Sequence, residues 1–483
     1  MPFFQIIILV LSISISTIVT ANDHKYYGFL AEKYEQQQRY DEALVLTRRA
    51  IFKAQEAYHP AWLIRWQWQL GRIFKAQNKI VPAIAAYQQA LDGLNYFCKT
   101  KSNIYQKIRP IYFELADLLL QQNSIAEARD VVEQLKTADL KSYFGDCVLL
   151  KTKSIDKIAD RHTAVIYPIV LEKRLELIIS LPHQDLKRIT VNVGHQQIYN
   201  TVTAFNKAIQ KGRSDLEDTS YLKTAQRLYN WLIRPITLNN IKTLVFVPEG
   251  ILGTLSMAAL HDGKQFLIEK YALAITPSLN LTIAKTNKQK KKILVAAITK
   301  ATQGYAKLHY AKNEIKLISK LGETSQLLDE KFTAANFKSY LNKDNYNIVH
   351  ITSHAEFASE AKASFIITQN GKIKLNELDS MIKFKQTIDL LTLSACNTAK
   401  GDQEWAALGL SGIAIKAGAI SSLATLWKAH DLTTYHLINI FYQNYFNNQS
   451  KAQALQAAQK IVIDTIYHHP IYWAPLVLIG NWI

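Results

Sequence analysis

The sequence is poor in the residues that mark a disulfide scaffold, a disordered tail or a nucleotide-binding loop. Its 483 residues include three cysteines, Cys98, Cys147 and Cys396, so at most one disulfide can form and at least one thiol is left free, buried or reactive. The sequence has no long low-complexity tract, and its 17 glycines never take the spacing of a phosphate-binding or dinucleotide-binding loop. We therefore expect a chain that is folded nearly throughout and carries out no nucleotide-driven chemistry.

Acidic residues are the minority among the charged residues. Lys and Arg number 57 against 39 Asp and Glu, and the formal net charge of +18 would favour nucleic acid, acidic partners or an anionic membrane surface. The basic residues are spread along the chain, and the one dense run, Lys285–Lys292, is typical of a solvated linker before a strand. Because no arginine-rich helix or recognition motif accompanies the charge, we predict that the protein does not bind nucleic acid.

The amino-terminal segment lacks the positive charge that usually begins a signal peptide. Residues Phe3–Val19 are nevertheless almost wholly apolar or Ser and Thr, and Val19-Thr20-Ala21 offers small residues at the spacing that signal peptidase recognises. We predict a signal peptide over residues 1–21, cleaved after Ala21, and an exported protein, periplasmic or extracellular, with no integral membrane span in the mature chain. An uncleaved membrane anchor is the alternative, although the segment is short for a spanning helix.

Residues 22–141 show no strand-like alternation and predict a helical-repeat region. Small and large residues recur there at the spacing of the tetratricopeptide pattern, in which small residues let paired helices approach each other. The three degenerate units consist of Leu30, Ala31, Tyr34, Ala43 and Ala50; Leu70, Gly71, Phe74, Ala83, Tyr87 and Ala90; and Leu115, Ala116, Leu119, Ala128 and Leu135. We predict tetratricopeptide-like repeats that bind a protein partner, while ordinary amphipathic hairpins would give some of the same matches.

Three tryptophans of this region, Trp62, Trp66 and Trp68, allow two interpretations. They could form a peptide-binding groove on the repeats, or they could fill the space between packed helices. We expect them to be core residues.

After residue 141 the pattern changes to short apolar strands. Residues 142–290 combine β-rich runs with two amphipathic helices, Val202–Gln210 and Leu222–Ile233, and residues 291–483 alternate apolar strands with helical segments. The predicted strands are Thr163–Val170, Arg174–Ser180, Arg188–Val193, Thr243–Val247, Ile293–Ile298, Ile348–Thr352, Ser364–Thr368, Asp389–Leu393 and Ala419–Leu426. Continuous apolar strands are buried on both faces, so we predict a mainly parallel α/β sheet flanked by helices.

His354 and Cys396 are the residues whose positions suggest chemistry, because each follows a predicted strand by two or three residues. In open parallel sheets the carboxyl ends of neighbouring strands form the ligand crevice, so an imidazole and a thiol would meet there. The imidazole could then activate the thiol as a nucleophile. From position alone the commoner interpretation is a small buried Cys with His350 or His354 packed and hydrogen-bonded.

The sequence segments around these two residues resemble those of a known family. Val349–Phe357 (VHITSHAEF) and Leu391–Ala399 (LTLSACNTA) resemble the two signatures of CHAT domains, caspase-like modules typically joined to tetratricopeptide repeats. Segments that resemble further landmarks of that family are Tyr143–Cys147, Tyr229–Ile236, Phe246–Gly250, Ala274–Ser278, Gly418–Trp427 and Tyr472–Pro475. The resemblance covers about Tyr143–Ile483. It implies the fold of caspases and separases, with an amino-terminal, pseudo-caspase-like part over 142–290 and a catalytic part over 291–483.

The resemblance also implies a cysteine-type endopeptidase, with His354 as the catalytic histidine, Cys396 as the nucleophile and a protein or peptide as the substrate. The backbone N–H groups of Ala355 and Cys396 are the expected oxyanion-hole donors. The family usually has Gly after the catalytic histidine, and Ala355 resists a left-handed backbone more than Gly does. Because Ala supplies the same N–H donor, we expect an effect on rate and not a dead enzyme. His350 matches a neighbouring position and is expected to be structural.

We predict no cofactor and no metal site. His468-His469-Pro470 lacks the carboxylate or cysteine partners of a zinc site, so a surface or packing role is expected. Glu356, Asp402 and Glu404 lie near the two signatures, where they could select a basic side chain of the substrate or could equally face solvent.

Two functions of other classes fit the same sequence. The CHAT fold could be a catalytically silent scaffold whose repeats recruit a partner, since a fold does not guarantee an activity. A basic face with an uncleaved leader could instead make the protein a peripheral membrane anchor. Because the repeats directly precede the catalytic part, we predict that partner binding controls the peptidase activity.

Overall fold

The computed structural model describes residues 23–95, 107, 109–144, 160–282, 291–381, 388–400 and 403–483, and at 95, 379, 380, 395–400, 403, 405 and 414 it describes the backbone alone. The chain divides into two compact units, with the boundary between Leu135 and Lys136. Predicted features outside the described residues are the signal peptide, Cys98, Cys147, Asp402 and most of the Lys285–Lys292 run. Among the residues that are described, no helix has both the length and the apolar character needed to cross a membrane.

The first unit is helical, as predicted. Its described helices are residues 23–36 (α1), Tyr40–Glu56 (α2), Pro60–Ala76 (α3), Ile80–Asn95 (α4), Pro110–Gln121 (α5) and Ile125–Phe144 (α6). Pro60 and Pro110 begin helices because proline fixes a helical φ and the first N–H of a helix has no intrahelical partner to lose. Helix α6 begins in the first unit and ends in the second.

The connections between these helices repeat one geometry. A left-handed residue, with φ between 50° and 60°, occurs at Gln38, Tyr58, Asn78 and Asn123. The next backbone N–H in each case donates to a carbonyl five residues back, as His59 does to Ala54 at 2.9 Å. This Schellman arrangement satisfies the free carbonyls at a helix end. The recurrence supports repeated helical hairpins, and their assignment to the tetratricopeptide class stays a prediction.

The tryptophans of the first unit divide between core and partly exposed positions. Trp66 is fully buried, and a Cβ on Gly28 would lie 2.4 Å from its ring, so glycine at position 28 makes room for the indole. Trp62 is half-buried and stacks on Trp66 at 5.3 Å. Trp68 is also half-buried, and its Nε1 donates to Glu114 at 3.3 Å. The core prediction is therefore correct for Trp66, while Trp62 and Trp68 keep an exposed side.

The second unit combines strands and helices. Its strands are Thr163–Val170 (β1), Leu175–Ser180 (β2), Lys187–Val191 (β3), Thr243–Phe246 (β4), Ala272–Ile275 (β5), Lys292–Ala297 (β6), Glu323–Leu328 (β7), Ile348–Ala358 (β8), Phe365–Thr368 (β9), Gly371–Lys374 (β10), Ile388–Lys400 (β11), Ala419–Thr425 (β12) and Leu476–Gly480 (β13). Its further helices are His195–Lys211 (α7), Leu222–Leu232 (α8), Leu267–Lys270 (α9), Ala311–Ile318 (α10), Ala334–Lys343 (α11), Leu378–Met381 (α12), Gln403–Lys416 (α13), Asp431–Phe446 (α14), Lys451–Ile463 (α15) and Pro470–Trp473 (α16).

These strands form a single mixed sheet in the described residues, in the order β10-β9-β8-β11-β12-β13-β5-β4-β1-β2-β3, with β6 paired to both β7 and β8. The neighbours from β7 through β6, β8 and β11 to β12 run parallel, and so do those from β13 through β5 and β4 to β1. The two parallel sets meet in the antiparallel pair β12–β13. The predicted fold class is confirmed: a helical region followed by a mainly parallel sheet flanked by helices.

Strand burial explains why these segments pair as they do. All eight residues of β1 and all seven of β12 are buried, as expected for strands covered on both faces. The sheet also joins the two predicted parts of this unit, 142–290 and 291–483, because β13 pairs with β5.

The structure corrects the predicted ends of two strands. β8 continues to Ala358 and β11 to Lys400, so His354 and Cys396 lie inside strands and not after them. The prediction stopped early because the carboxyl halves of both strands are polar and lack the continuous apolar run of a strand buried on both faces. At Ser353 and His354 the outer neighbour of β8 also changes, from β6 to β9.

Candidate active site

The two residues of the predicted dyad lie on neighbouring parallel strands. His354 of β8 pairs with Ala395 of β11, and Cys396 pairs with Ala355. Strands spaced about 4.8 Å apart, with a rise of about 3.3 Å per residue, place the Cα atoms of His354 and Cys396 about 6 Å apart. The structure thus brings together the backbones of both predicted residues, while the side chain of Cys396 lies outside the described part.

A β-bulge immediately precedes the two residues. Leu393 pairs with Ile351 and Ala395 with His354, so two residues of β8 lie opposite Ser394 alone. Such bulges bend a strand and redirect the side chains that follow. Sequence reasoning had no signal for this bulge, because it depends on the pairing of two distant segments.

The loop of residues 298–310, which follows β6, contacts the imidazole of His354. Nε2 of His354 lies 2.8 Å from the carbonyl oxygen of Ala306. A carbonyl oxygen can only accept, so the proton is on Nε2, and in the neutral ring Nδ1 carries the lone pair. His354 is half-buried, and an unprotonated imidazole nitrogen is the type of group that can act as a base near neutral pH.

Tyr305 of the same loop packs against His354, with ring centroids 5.0 Å apart at 31°. Its hydroxyl donates to Glu356 Oε1 at 2.7 Å. Burial and this bond to a carboxylate raise the pKa of Tyr305 to about 12, so its hydroxyl keeps its proton through the neutral range. Glu356 therefore holds an aromatic residue beside the imidazole, a role that sequence reasoning missed.

Anchors on both sides keep this loop in place. Gln303 Nε2 donates to the carbonyls of Thr368 and Gly371, at 2.6 and 3.0 Å. At the other end, Asp431 Oδ2 accepts from the backbone N–H groups of His309 and Tyr310, at 2.6 and 3.2 Å. Every anchor joins the loop to an element of the second unit, so the Ala306 carbonyl has a defined position relative to β8.

A buried polar network lies directly before the two predicted residues. The Glu314 carboxylate of α10 accepts from Thr352 Oγ1 at 2.7 Å and from Ser394 Oγ at 2.9 Å, and it lies 2.7 Å from His350 Nε2. His350 is fully buried, and its Nδ1 lies 3.1 Å from the Tyr442 hydroxyl. Sequence reasoning singled out His350 but not Glu314, because a glutamate in an amphipathic helix usually faces solvent.

The residues expected to surround the dyad also have defined places. Ala355 is buried, pairs with Cys396 on one side and with Ile366 on the other, and has an extended backbone. Because an extended backbone does not need glycine, alanine introduces no left-handed strain at this position. Glu404, in the first turn of α13, lies beside Gly250.

A model of the CHAT domain family matches residues 222–481, which is more than half of the chain. The chain belongs to the CHAT domain family. The matched residues run from α8 to β13, and they include both signatures and the whole region around His354 and Cys396. The family is of the cysteine-peptidase type.

Comparison with known proteins adds two distant neighbours of this CHAT domain. The complex of Porphyromonas gingivalis RgpB pro- and mature domains is 9% identical, with a TM-score of 0.37 over 59% of this chain and 76% of that one. The Arg-specific cysteine proteinase gingipain R (RGPB) is 11% identical, with a TM-score of 0.35 over 59% of this chain and 74% of that one. No curated protein matches the sequence significantly.

Proposed function

We propose that this protein is a cysteine endopeptidase in which His354 activates Cys396 to cleave a peptide bond of a protein substrate. The observation that carries the proposal is the pairing of β8 with β11. In this register Cys396 is offset from His354 by one residue along the neighbouring strand. The bond from His354 Nε2 to the Ala306 carbonyl supports the same function, because it leaves Nδ1 as the basic nitrogen.

The proposed reaction needs only these two side chains and backbone donors. A free thiol has a pKa of about 8.5, so an adjacent imidazole is needed to take its proton near neutral pH. The thiolate attacks the peptide carbonyl, the protonated imidazole gives its proton to the leaving amine, and a thioester remains. Water, deprotonated by the same imidazole, then hydrolyses the thioester and regenerates the thiol.

The oxyanion donors that we propose are the backbone N–H groups of Ala355 and Cys396. The two residues lie opposite each other in the β8–β11 register. Donors of this kind contribute about 3 to 4 kcal/mol each to the stabilisation of the transition state.

We also propose that the helical repeats bind a protein partner that regulates the peptidase, and that the protein is exported. Helix α6 supports the regulation, because its last turn contacts the strand that carries His354 and the helix that follows Cys396. The Tyr143 hydroxyl donates to the Ala358 carbonyl at the end of β8, at 3.0 Å, and Gly409 of α13 lies against the Tyr143 ring. A shift of α6 would therefore reach the strand of His354 and the helix after Cys396.

Labelling of the native full-length protein with a peptide-based cysteine electrophile, read by intact mass and peptide mapping, tests the dyad. We expect labelling of Cys396 in the wild type, none at that site in Cys396→Ala, and a rate lower by about 10²- to 10⁴-fold in His354→Ala. His309→Ala is the matched control, because it removes an exposed imidazole from the same loop. If Cys396 reacts no faster than Cys98 or Cys147, and His354→Ala changes nothing, the silent scaffold is the better account.

A further inference from the structure

We infer that Glu314 is a positioning residue, which holds the strands of His354 and Cys396 in the register that their reaction requires. This inference rests on the proposed function. Glu314 is almost completely buried on α10 and is neither in the predicted dyad nor next to it in sequence. Its carboxylate bonds to both strands at once, through Thr352 of β8 and Ser394 of β11.

The bonded residues are spaced in the same way from the dyad. Thr352 lies two residues before His354, and Ser394 lies two residues before Cys396. Both belong to the β-bulge, in which Ser394 alone lies opposite Thr352 and Ser353 of β8. A bulge interrupts the ladder, so backbone pairing alone fixes the strands less firmly there. The Glu314 carboxylate supplies a side-chain link at the point where the ladder is interrupted.

The Glu314 carboxylate fixes the donor and the acceptor in each hydrogen bond that it makes. A carboxylate only accepts hydrogen bonds, so Thr352, Ser394 and Nε2 of His350 must all donate to it. The other ring nitrogen of His350, Nδ1, lies 3.1 Å from the Tyr442 hydroxyl. Burial raises the pKa of Tyr442, so this hydroxyl keeps its proton. Glutamine cannot replace Glu314 without loss, because its amide N–H₂ would face a donor.

Glu176 provides a matched comparison within the same sheet. It too is a buried carboxylate that links two neighbouring strands, since Glu176 of β2 accepts from Arg188 and Thr190 of β3. Those strands form the edge of the sheet opposite to β9 and β10. If replacing a buried carboxylate simply lowers stability, both variants should show the loss. Only replacement of Glu314 should change the reactivity of Cys396.

The test is the pH dependence of Cys396 alkylation by iodoacetamide in full-length wild type, Glu314→Gln, His354→Ala and Glu176→Gln, with thermal unfolding of each. In the wild type we expect an inflection below the free-thiol value of about 8.5. Glu314→Gln should move the inflection toward that of His354→Ala and slow the reaction with a peptide electrophile about 10- to 100-fold, mostly in the maximal rate of inactivation. Glu176→Gln should keep the wild-type profile.

Milder variants keep the inference testable if Glu314→Gln does not fold. Ser394→Ala and Thr352→Val each remove one donor and should shift the pH profile in the same direction as Glu314→Gln, by a smaller amount. Thr352→Ser keeps the hydroxyl and should give the wild-type profile. A wild-type profile in folded Glu314→Gln would overturn the inference and leave the dyad standing. An inflection near 8.5 in the wild type itself would instead show that Cys396 is not activated, and the inference would fall with the proposed function.

Discussion

The amino and carboxyl halves of β8 and β11 perform different tasks. In the amino halves, residues such as Ile348 and Leu390 are fully buried and pair without interruption. In the carboxyl halves the ladder is bulged twice, and His354 and Glu356 contact the loop that follows β6. The amino halves thus provide mainly apolar burial, apart from polar residues such as His350 and Thr352, which bond to Glu314. The carboxyl halves carry the polar side chains that contact the loop after β6.

This difference separates stability from chemistry along a single pair of strands. Removing apolar surface from an amino half should lower the free energy of unfolding, because buried methyl groups stabilise the fold roughly in proportion to the area they bury. Removing a polar contact from a carboxyl half should cost little stability and should change how His354 and Cys396 meet.

Leu390→Ala should have the largest effect on stability. Leu390 is fully buried and pairs with Ile348 and Ser421 on either side, so we expect the free energy of unfolding to fall by about 3 kcal/mol. Urea unfolding would measure the loss. At a temperature where the variant is folded, its Cys396 should be labelled at the wild-type rate. If labelling slows in the folded protein as much as in Glu314→Gln, the division between the two halves does not hold.

The apolar half is also the part of the site that the sequence predicts well. Ile348–Thr352 and Asp389–Leu393 are mainly apolar, and the structure begins β8 at the predicted residue and β11 one residue earlier. β1 has the predicted bounds, Thr163–Val170, for the same reason. Short strands without such a run, such as β10 with its two exposed lysines, were not predicted, because pairing alone makes them strands.

Several residues that contact the polar half could not be predicted from a single sequence. The sequence segments around His354 and Cys396 pointed to these two residues because they resemble the signatures of CHAT domains. Tyr305, Ala306 and Glu314 carry no comparable signal. Ala306 acts through its backbone carbonyl, which every residue has, and Glu314 stands between Lys312 and Lys316 in a helix that reads as amphipathic. Only the packing of α10 on the sheet buries the carboxylate.

Gly409→Ala should have an intermediate effect, because it disturbs the end of β8 from a distance. A Cβ at residue 409 would lie 2.1 Å from the Tyr143 hydroxyl, so Tyr143 must move and lose its bond to the Ala358 carbonyl. We expect a loss of about 1 to 3 kcal/mol in stability and slower labelling of Cys396. Gly371→Ala is the matched control, because a Cβ there meets nothing within 4 Å. Equal behaviour of the two variants would contradict the proposed role of α6.

Tyr305→Phe should have the smallest effect on stability and a clear effect on the reaction. It removes one hydrogen bond, to Glu356, and keeps the ring that packs on His354 at 5.0 Å. We therefore expect a loss of about 1 kcal/mol in stability, and labelling of Cys396 that is slower by about 3- to 10-fold.

Because the pKa of Tyr305 is raised to about 12 from 10.0, the neutral hydroxyl stabilises the folded state below pH 10, and this contribution is lost as the pH rises to 12. The stability difference between wild type and Tyr305→Phe should accordingly be constant from pH 6 to 9 and shrink above pH 10. A difference that stays constant up to pH 12 would show that the hydroxyl does not bond Glu356 in solution.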